Sequence, residues 1–314
     1  MEEIKFSHVS VLLPECIENL DIKPDGVYVD GTTGGGGHSL EIAKRLTKGG
    51  RLICIDRDTD ALTAAAKRLE AYADRITFVH SNYSELDAVL QDLSIEEVDG
   101  VLLDLGVSSY QLDTAERGFS YMQDARLDMR MDRSSALSAY EVVNEYAEED
   151  LRRIIYEYGE EKFARNIAAN IVKMREESPI ETTLQLSELI KASMPKAARE
   201  GGHHPAKRTF QAIRIEVNAE LTGIPPVIKA AVSHMREGGR LAIITFHSLE
   251  DRIVKQTFAS LATGCTCPRE FPVCICNNKP KVRPVSKKPI VASNEELEVN
   301  PRSRSAKLRV AEKV

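Results

Sequence analysis

The chain has 314 residues, of which 42% are hydrophobic, and its formal net charge is −6. This length exceeds a typical single domain, so we expect one large domain with an insertion, or two domains, around a full-sized core. No run approaches the roughly eighteen apolar residues of a membrane span, and residues 1–20 are too acidic and interrupted for a signal peptide. We therefore expect a cytoplasmic protein without membrane partners.

The first predicted elements surround a glycine run. An apolar strand over 27–30 leads into Gly34, Gly35, Gly36 and Gly37, and a helix is predicted over 39–46. Glycine accepts φ > 0 and has no Cβ, so such a turn lets backbone N–H groups approach a ligand. The next strand, over 51–55, ends at Asp56, where a carboxylate could reach ribose hydroxyls. The pattern predicts a nucleoside cofactor, with a plain loop as the alternative.

The glycine spacing helps to distinguish between cofactors. Ser39 stands where the third glycine of G-x-G-x-x-G would lie, so the pyrophosphate fingerprint of a dinucleotide site is imperfect. S-adenosylmethionine has no phosphate and needs close backbone approach together with an acid for its ribose. The turn is therefore compatible with S-adenosylmethionine, and a dinucleotide stays open as the alternative.

Alternation of helices and strands continues up to Asp104. Helices are predicted over 59–73 and 85–90, and strands over 75–79 and 98–103. Continuous apolar strands alternating with helices indicate an α/β protein whose parallel sheet is buried on both faces. Asp30, Asp56 and Asp104 each follow a strand, at the edge where such sheets bind ligands.

Helices dominate after about Gln111. They are predicted over 138–146, 149–158, 160–177, 183–194 and 209–221, with another starting near Pro225. Phe163, Ile167, Ile171 and Met174 form one apolar stripe, and Thr182 with Gln185 resembles a capping box. A fifth strand is predicted over 240–246, and segments 289–293 and 306–311 are predicted to close the sheet as a hairpin pair. This divides the chain into a core (1–110), an inserted helical domain (111–206) and a second core segment (207–314).

Seven groups of residues, in order, carry a family resemblance. They are Asp30-Gly31-Thr32 with the glycines and His38; Leu103 to Ser109 with Gln111-Leu112-Asp113; Glu116 to Ser120; Leu127 to Asp132; Tyr158 to Glu161; His204 to Arg208; and Thr245 to Arg252. Together they resemble the RsmH (MraW) family over nearly the whole chain. The resemblance implies a doubly wound class I S-adenosylmethionine methyltransferase (Rossmann-like) core with an inserted all-helical domain, acting on cytidine N4 in the decoding region of 16S ribosomal RNA within the small ribosomal subunit.

The resemblance also implies the cofactor site. It assigns S-adenosylmethionine contacts to Gly36, Gly37, His38, Asp56, Tyr83, Asp104 and Gln111. Tyr83 departs from the phenylalanine of some members, which keeps a ring to face adenine and adds a hydroxyl.

Methyl transfer to cytosine N4 needs an acceptor for the N4 proton, because the nitrogen lone pair is delocalised into the ring. Asp104 and the following loop, with Ser108, lie at the strand end where that acceptor is needed. His247 follows the fifth strand and is a further candidate, although a helix-capping or buried structural histidine is an equal alternative. The catalytic candidates are therefore Asp104, Ser108 and His247.

Basic residues indicate where RNA would bind. Residues 279–314 hold ten Lys and Arg against four Glu, and a second basic stretch lies between Pro195 and Arg214. Two basic segments on an otherwise acidic chain predict a phosphate-binding surface, although a solvated tail is an equal alternative for the C-terminal one. His204, Lys207 and Arg208, where the chain returns from the insertion, are the RNA-binding candidates.

Four of the six cysteines cluster in twelve residues: Cys265, Cys267, Cys274 and Cys276. In a reducing cytoplasm they could bind Zn²⁺, although C-x-C is tighter than the usual spacing of structural zinc sites, and spare thiols in a loop are the alternative. Two alternative functions stay open: a non-catalytic RNA-binding ribosome assembly factor, and an oxidoreductase with a nucleotide cofactor.

Overall fold

The computed structural model describes residues 10–199, 202, 204–268, 273 and 275–314, which form two compact units. The first contains the described residues up to Gly106 together with Leu221–Val314, and the second is Val107–Glu220. The second unit extends beyond the predicted insertion of 111–206 because the helix after Ala206 buries Phe210 and Ile213 in its core. Among the described residues, no helix combines the length and apolarity needed to cross a membrane.

The first unit is built on a seven-stranded sheet. Its strands are β1 (Val27–Asp30), β2 (Arg51–Asp56), β3 (Ile76–His80), β4 (Val98–Asp104), β5 (Met235–Thr245), β6 (Val282–Pro284) and β7 (Lys307–Lys313). The spatial order is β3-β2-β1-β4-β5-β7-β6; the first five are parallel, and β7 runs antiparallel to both neighbours. The prediction of a doubly wound α/β core is confirmed.

Helices cover both faces of this sheet and form the second unit. They are α1 (Leu13–Leu20), α2 (Gly37–Ala43), α3 (Thr59–Arg68), α4 (Leu86–Asp92), α5 (Ser109–Asp113), α6 (Ala139–Glu145), α7 (Glu148–Glu157), α8 (Ala164–Glu177), α9 (Thr183–Ala192), α10 (Lys196–Arg199), α11 (Lys207–Asn218), α12 (Ile224–His234), α13 (Ser248–Leu261) and α14 (Asn294–Val299). Neighbouring strand residues face opposite sides: Val29 packs with α4 and α12, whereas Tyr28 packs with α1 and α2.

Two predicted helices differ from the observed ones for local reasons. The helix predicted over 39–46 begins at Gly37, because Gly36 occupies the left-handed N-cap position with φ 75°. The helix predicted over 160–177 begins at Ala164, since Glu160 is itself left-handed at φ 49°. Helices α1, α5, α10, α13 and α14 were not predicted.

The predicted hairpin of 289–293 with 306–311 is partly wrong. Strand β7 does pair with β5, but the strand on its other side is β6, which comes earlier in the chain. Segment 289–293 contributes only an isolated bridge between Ile290 and Leu308. Pro284 and Pro289 lack the N–H that a continuous ladder needs, so the pairing along this side of β7 is interrupted.

The second unit has a hydrophobic core of its own. Ile167 and Ile171 of α8 are fully buried, but Met174, the last member of the predicted apolar stripe, is 39% exposed. The capping box predicted at the start of α9 is present: Thr182 N–H donates to Gln185 Oε1 at 3.1 Å, and Gln185 N–H donates to Thr182 Oγ1 at 3.4 Å. Segment 111–206 is therefore helical, as predicted.

Candidate active site

The carboxyl ends of β1, β2 and β4 each carry an aspartate in the first unit. Asp30 is 1% exposed, accepts a 2.6 Å hydrogen bond from Ser39 Oγ on α2 and another from Thr32 N–H. Burial raises the pKa of Asp30 to about 6, and the nearby Asp56 carboxylate adds to the increase. Among the described residues, no Lys or Arg forms an ion pair with Asp30. Asp30 instead holds the junction of β1, the glycine turn and α2 through its hydrogen bonds.

Asp56 fixes the other side of the glycine turn. Its Oδ2 accepts from Gly34 N–H at 2.7 Å and its Oδ1 from Asp58 N–H at 2.9 Å. Each oxygen has a second lone pair, so the carboxylate can still accept from ribose hydroxyls. Burial raises the pKa of Asp56, while the hydrogen bonds from Asp58 and Gly34 oppose that effect.

Asp104 is the least compensated of the three carboxyls. Its Oδ1 is buried and has no hydrogen-bond partner among the described residues, and its Oδ2 lies 3.8 Å from His38 Nδ1. Burial raises the pKa of Asp104 to about 8, with further contributions from Asp30 and Glu250. Its backbone is held firmly, since Asp104 N–H donates to Thr32 Oγ1 at 2.5 Å. The strand end thus presents a fixed carboxyl group that has no cationic partner in the described part of the chain.

His38 is oriented by the segment that precedes α1. Its Nε2–H donates to the Val11 carbonyl at 3.0 Å, which leaves Nδ1 as the acceptor toward Asp104. Burial lowers the pKa of His38 to about 4, so the ring is neutral at pH 7. A neutral His38 cannot neutralise Asp104 by charge, and its unprotonated Nδ1 faces that carboxyl.

The glycine turn is required by close packing. Gly36 has φ 75°, and a Cβ there would meet Ala65 Cβ at 3.2 Å. A Cβ on Gly37 would fall 1.9 Å from Ser10 Oγ, so the segment before α1 lies directly on this turn. Gly36 and Gly37 therefore hold the backbone tightly around the start of α2, as expected for a turn that approaches a ligand.

Tyr83 belongs to a short 3-10 turn, Tyr83–Glu85, after β3. Its side chain is 7% exposed, and the Arg57 guanidinium lies 5.3 Å above the ring. A Cβ on Gly223 would approach the ring to 3.1 Å. The ring is therefore fixed next to the residue that follows Asp56, a position suited to an aromatic base beside the ribose.

His247 occupies the N-cap position of α13, just after β5. Glu250, three residues on, accepts from the backbone N–H groups of Phe246 at 2.8 Å and His247 at 3.2 Å. His247 Nε2 lies 3.2 Å from Glu250 Oε1. The buried Glu250 was missed in the sequence analysis; its i+3 spacing from an N-cap position was the available signal.

In the second unit, Ser108 and Gln111 form a reciprocal capping box on α5. Gln111 N–H donates to Ser108 Oγ at 3.2 Å, and Ser108 N–H donates to Gln111 Oε1 at 3.0 Å. Both side chains thus stabilise the start of a short helix. A catalytic role for Ser108 and a cofactor contact for Gln111 stay predictions.

The RNA-binding candidates lie at the start of α11. Lys207 and Arg208 are exposed, and Arg208 Nη1 donates to the Glu160 carbonyl at 3.0 Å. His204 stacks on Tyr121 at 4.5 Å, and its Nδ1 accepts from Ala206 N–H at 3.2 Å. Burial and then Lys191 lower the pKa of His204, so this ring is not a cation at pH 7. Of the three, the two exposed basic side chains are suited to phosphate.

The basic C-terminal segment is not a solvated tail. Lys307 and Arg309 lie on β7, and both contact Asp251, at 3.2 Å and 2.6 Å. Arg283 pairs with Glu312. Ion pairs within the first unit therefore offset part of the predicted positive charge.

The cysteine candidates lie between α13 and β6. The sulfurs of Cys265, Cys267 and Cys276 all lie within 4.8 Å of one another. Cys274 lies outside the described residues.

The strand order, the antiparallel β7 and the glycine turn between strand-end carboxylates define a class I methyltransferase fold of the Rossmann-like type. The model of the MraW methylase family matches residues 5–314, and the chain belongs to that family. The family predicted from the seven motifs is therefore confirmed, and a nucleotide-cofactor oxidoreductase is not supported.

Curated relatives are similar over their full length. The ribosomal RNA small subunit methyltransferase H of Lachnospira eligens is 57% identical over 311 residues, which cover 99% of each chain. Its namesake from Clostridioides difficile is 58% identical over 311 residues, covering 99% of this chain and 100% of the relative. A solved rRNA methylase from Streptococcus thermophilus shares 10% identity, with a TM-score of 0.42 over 96% of this chain and 93% of that one.

Proposed function

We propose that this protein transfers a methyl group from S-adenosylmethionine to the N4 amino group of a cytidine in the decoding region of 16S ribosomal RNA. Two curated relatives at 57% and 58% identity are named as small-subunit ribosomal RNA methyltransferases. The structural observation that carries the proposal is the group of strand-end carboxyls, above all the buried Oδ1 of Asp104, for which the described residues offer no hydrogen-bond partner.

The carboxyl group cluster fits a cationic cofactor. The pKa values of Asp30 and Asp104 are raised because their charges are buried, and the two carboxyl groups also repel each other. A ligand with a sulfonium and an ammonium group would relieve this repulsion, whereas the pyrophosphate of a dinucleotide would increase it. The carboxylates therefore favour S-adenosylmethionine over NAD.

Particular residues would hold the cofactor. Asp56 would accept from the ribose, Tyr83 would face the adenine, and the backbone at Gly36 and Gly37 would allow close approach. Asp104 and His38 would lie toward the aminoacyl end. Bound S-adenosylmethionine supplies a methyl group on a sulfonium sulfur, which is open to in-line displacement.

Asp104 is suited to receive the N4 proton. A general base works best when its pKa lies near the working pH, and burial brings that of Asp104 to about 8. An N4 nitrogen that has received the methyl group of bound S-adenosylmethionine must lose one proton, which the Asp104 carboxylate would accept. His38 Nδ1, 3.8 Å from Asp104, would then orient the acid form that results.

The base must leave any stack before it reaches this site, so we expect a single-stranded or flipped cytidine. Lys207 and Arg208, both exposed on the second unit, would neutralise RNA phosphates, which positions RNA without reading its sequence. Contacts within the site would supply the sequence preference.

The proposal is tested with small subunits purified from a strain that lacks the modification. We expect label from S-adenosylmethionine to enter 16S RNA and to appear as N4-methylcytidine when nucleosides are analysed by mass spectrometry. Calorimetry should show binding of S-adenosylmethionine and none of NAD. Cofactor binding without methylation of any small-subunit substrate would instead favour a non-catalytic assembly factor.

A further inference from the structure

The segment between α13 and β6, residues 262–281, has no helix or strand among its described residues. It is longer than the roughly 12 to 15 residues beyond which irregular loops become uncommon in compact domains. None of its described residues is buried, so no apolar core holds it. Contacts other than apolar packing must therefore hold this loop together.

Hydrogen bonds close the base of the loop. Lys281 N–H donates to the Leu261 carbonyl at 2.8 Å. The Asn278 side-chain amide donates to the carbonyls of Thr263 and Gly264, at 3.1 Å and 2.9 Å. These contacts bring the two arms of the loop together just beyond the end of α13, with the cysteines next along each arm.

The thiol groups have the spacing of ligands around one ion. Cys265 Sγ and Cys276 Sγ are 3.7 Å apart, and Cys267 Sγ lies within 4.8 Å of both. With a zinc–sulfur bond of about 2.3 Å, a tetrahedron has edges of about 3.8 Å. The observed separation matches this edge and is far longer than the roughly 2.05 Å of a disulfide.

Backbone donors point at the same sulfurs. Thr266 N–H donates to Cys276 Sγ, and Ile275 N–H donates to Cys267 Sγ, each at 3.4 Å. Each arm thus donates to a sulfur of the other arm. Such donors stabilise sulfur in its deprotonated form, which is the form that binds metals.

We propose that Cys265, Cys267 and Cys276 bind a structural Zn²⁺ ion that holds this loop together. A set of soft thiolates selects zinc, copper(I) or iron–sulfur clusters over magnesium or calcium, and three sulfurs this close suit a single ion. A two-arm site also accommodates the C-x-C spacing, since each arm needs to supply only one or two ligands. The ion would lie in the first unit, in a loop separate from the strand-end carboxylates, and the proposal does not depend on the proposed function.

The test begins with metal content. Protein purified under reducing conditions without chelator should contain about one zinc ion per chain by plasma mass spectrometry. Replacing zinc with cobalt(II) should produce sulfur-to-cobalt charge transfer and the intense visible bands of a tetrahedral thiolate site. Cys265→Ser, Cys267→Ser and Cys276→Ser should each hold roughly tenfold less zinc after dialysis against a competing chelator.

Thr266→Ala is the matched control, because it changes a side chain between two proposed ligands and keeps the N–H that donates to Cys276. It should retain wild-type zinc. Since none of the described loop residues is buried, the serine variants should fold, and circular dichroism checks this. If one fails to fold, the cobalt spectra of the wild type decide between the outcomes.

Two results would overturn the proposal. One is wild-type protein free of metal after growth in zinc-supplemented medium and reconstitution. The other is freshly prepared anaerobic protein that, after denaturation with a chelator, has two fewer titratable thiols than its six cysteines, which would show a disulfide pair instead of a metal site.

Discussion

The strand-end carboxyls of the first unit differ from two acidic side chains of the second unit in how their charge is compensated. In the first unit, Asp30 and Asp104 end buried strands without a recorded cationic partner among the described residues, and burial raises both pKa values. In the second unit, Arg130 donates hydrogen bonds to Asp128 through Nε and Nη2. Arg214 likewise donates two hydrogen bonds of 2.9 Å to Glu220. Burial raises the pKa of Asp128, but the hydrogen bonds from Arg130 outweigh this effect and bring the pKa below its usual range.

This difference separates a binding site from a scaffold. Buried carboxyl groups left uncompensated cost stability, so a fold keeps them where a ligand supplies the opposite charge. In the second unit, Asp128, Glu220 and Asn218 have their hydrogen-bond partners within the unit. Asn218 illustrates this. Its side-chain amide donates to the carbonyls of Met129 and Arg214, and its Oδ1 accepts from Met131 N–H.

The largest effect is expected from breaking that scaffold. Asn218→Ala removes at least three side-chain hydrogen bonds and leaves buried backbone groups of Met129 and Met131 without them. We expect the free energy of unfolding to fall by about 3 kcal/mol in chemical denaturation. Asn166→Ala, an exposed asparagine of α8, is the control and should change little. Equal stability of both variants would contradict the scaffold role.

The second prediction removes the unpartnered carboxylate. Asp104→Asn keeps the shape of the side chain but cannot take the N4 proton, so methyl transfer should slow on the order of 100-fold. S-adenosylmethionine affinity should fall less, which separates turnover from binding. Asp99→Asn, near the start of the same strand and paired with Lys23, should leave both nearly unchanged. Full activity of Asp104→Asn would place the proton acceptor elsewhere.

The pH dependence of stability follows from the same carboxyls. Because their pKa values lie at about 6 for Asp30 and about 8 for Asp104, these two groups bind more protons in the folded protein than in the unfolded chain above about pH 4. The lowered pKa of His38 acts in the opposite direction up to its ordinary value of 6.5. The free energy of unfolding should therefore decline most clearly as the pH rises from about 6.5 to about 8. Asp104→Asn should reduce this decline, and saturating S-adenosylmethionine should too. Denaturation series across this pH range measure it.

Asp99 should show the opposite sign. Burial raises the pKa of Asp99, but the hydrogen bonds from Val27 N–H and the Lys23 ammonium outweigh this effect and bring the pKa below its usual range. Its contribution to stability is present above the ordinary carboxyl pKa and is lost as the pH falls. Asp99→Asn should therefore lower the free energy of unfolding at neutral pH in chemical denaturation. It should leave the decline toward pH 8 unchanged.

A smaller effect is expected at the ribose position. Asp56→Ala should weaken S-adenosylmethionine binding by about 1.5 to 3 kcal/mol in calorimetry, the usual cost of losing hydrogen bonds to a charged group. Asp92→Ala, an exposed aspartate at the end of α4, is the control. Unchanged affinity would remove Asp56 from the site.

The smallest effect concerns RNA. Replacing Lys207 and Arg208 with Ala should lower the salt dependence of RNA binding by roughly two phosphate contacts and leave S-adenosylmethionine affinity unchanged. Arg165→Ala with Lys173→Ala, exposed residues of α8, removes the same charge as a control. A wild-type salt slope in the first variant would make Arg208 structural, through its bond to Glu160.

Local patterns determined the class of fold and the positions of the strand-end carboxylates. Strands β1, β2 and β4 are apolar runs that end in aspartate, and their parallel pairing brings the ends to one edge. The capping box at Thr182 could likewise be predicted, because its donors and acceptors lie three residues apart. In each case the interacting residues are close in sequence or follow a periodic pattern.

Only the tertiary structure decided how each of these side chains is partnered. Val11 orients His38, Thr32 fixes the Asp104 backbone, and Asn218 clamps a segment almost ninety residues earlier. The tertiary structure also decided which strand pairs with the second edge of β7. That strand is β6, and not segment 289–293, which is nearer to β7 in the sequence. These contacts join distant parts of the chain, and their geometry depends on how helices pack on the sheet, which spacing and composition do not encode.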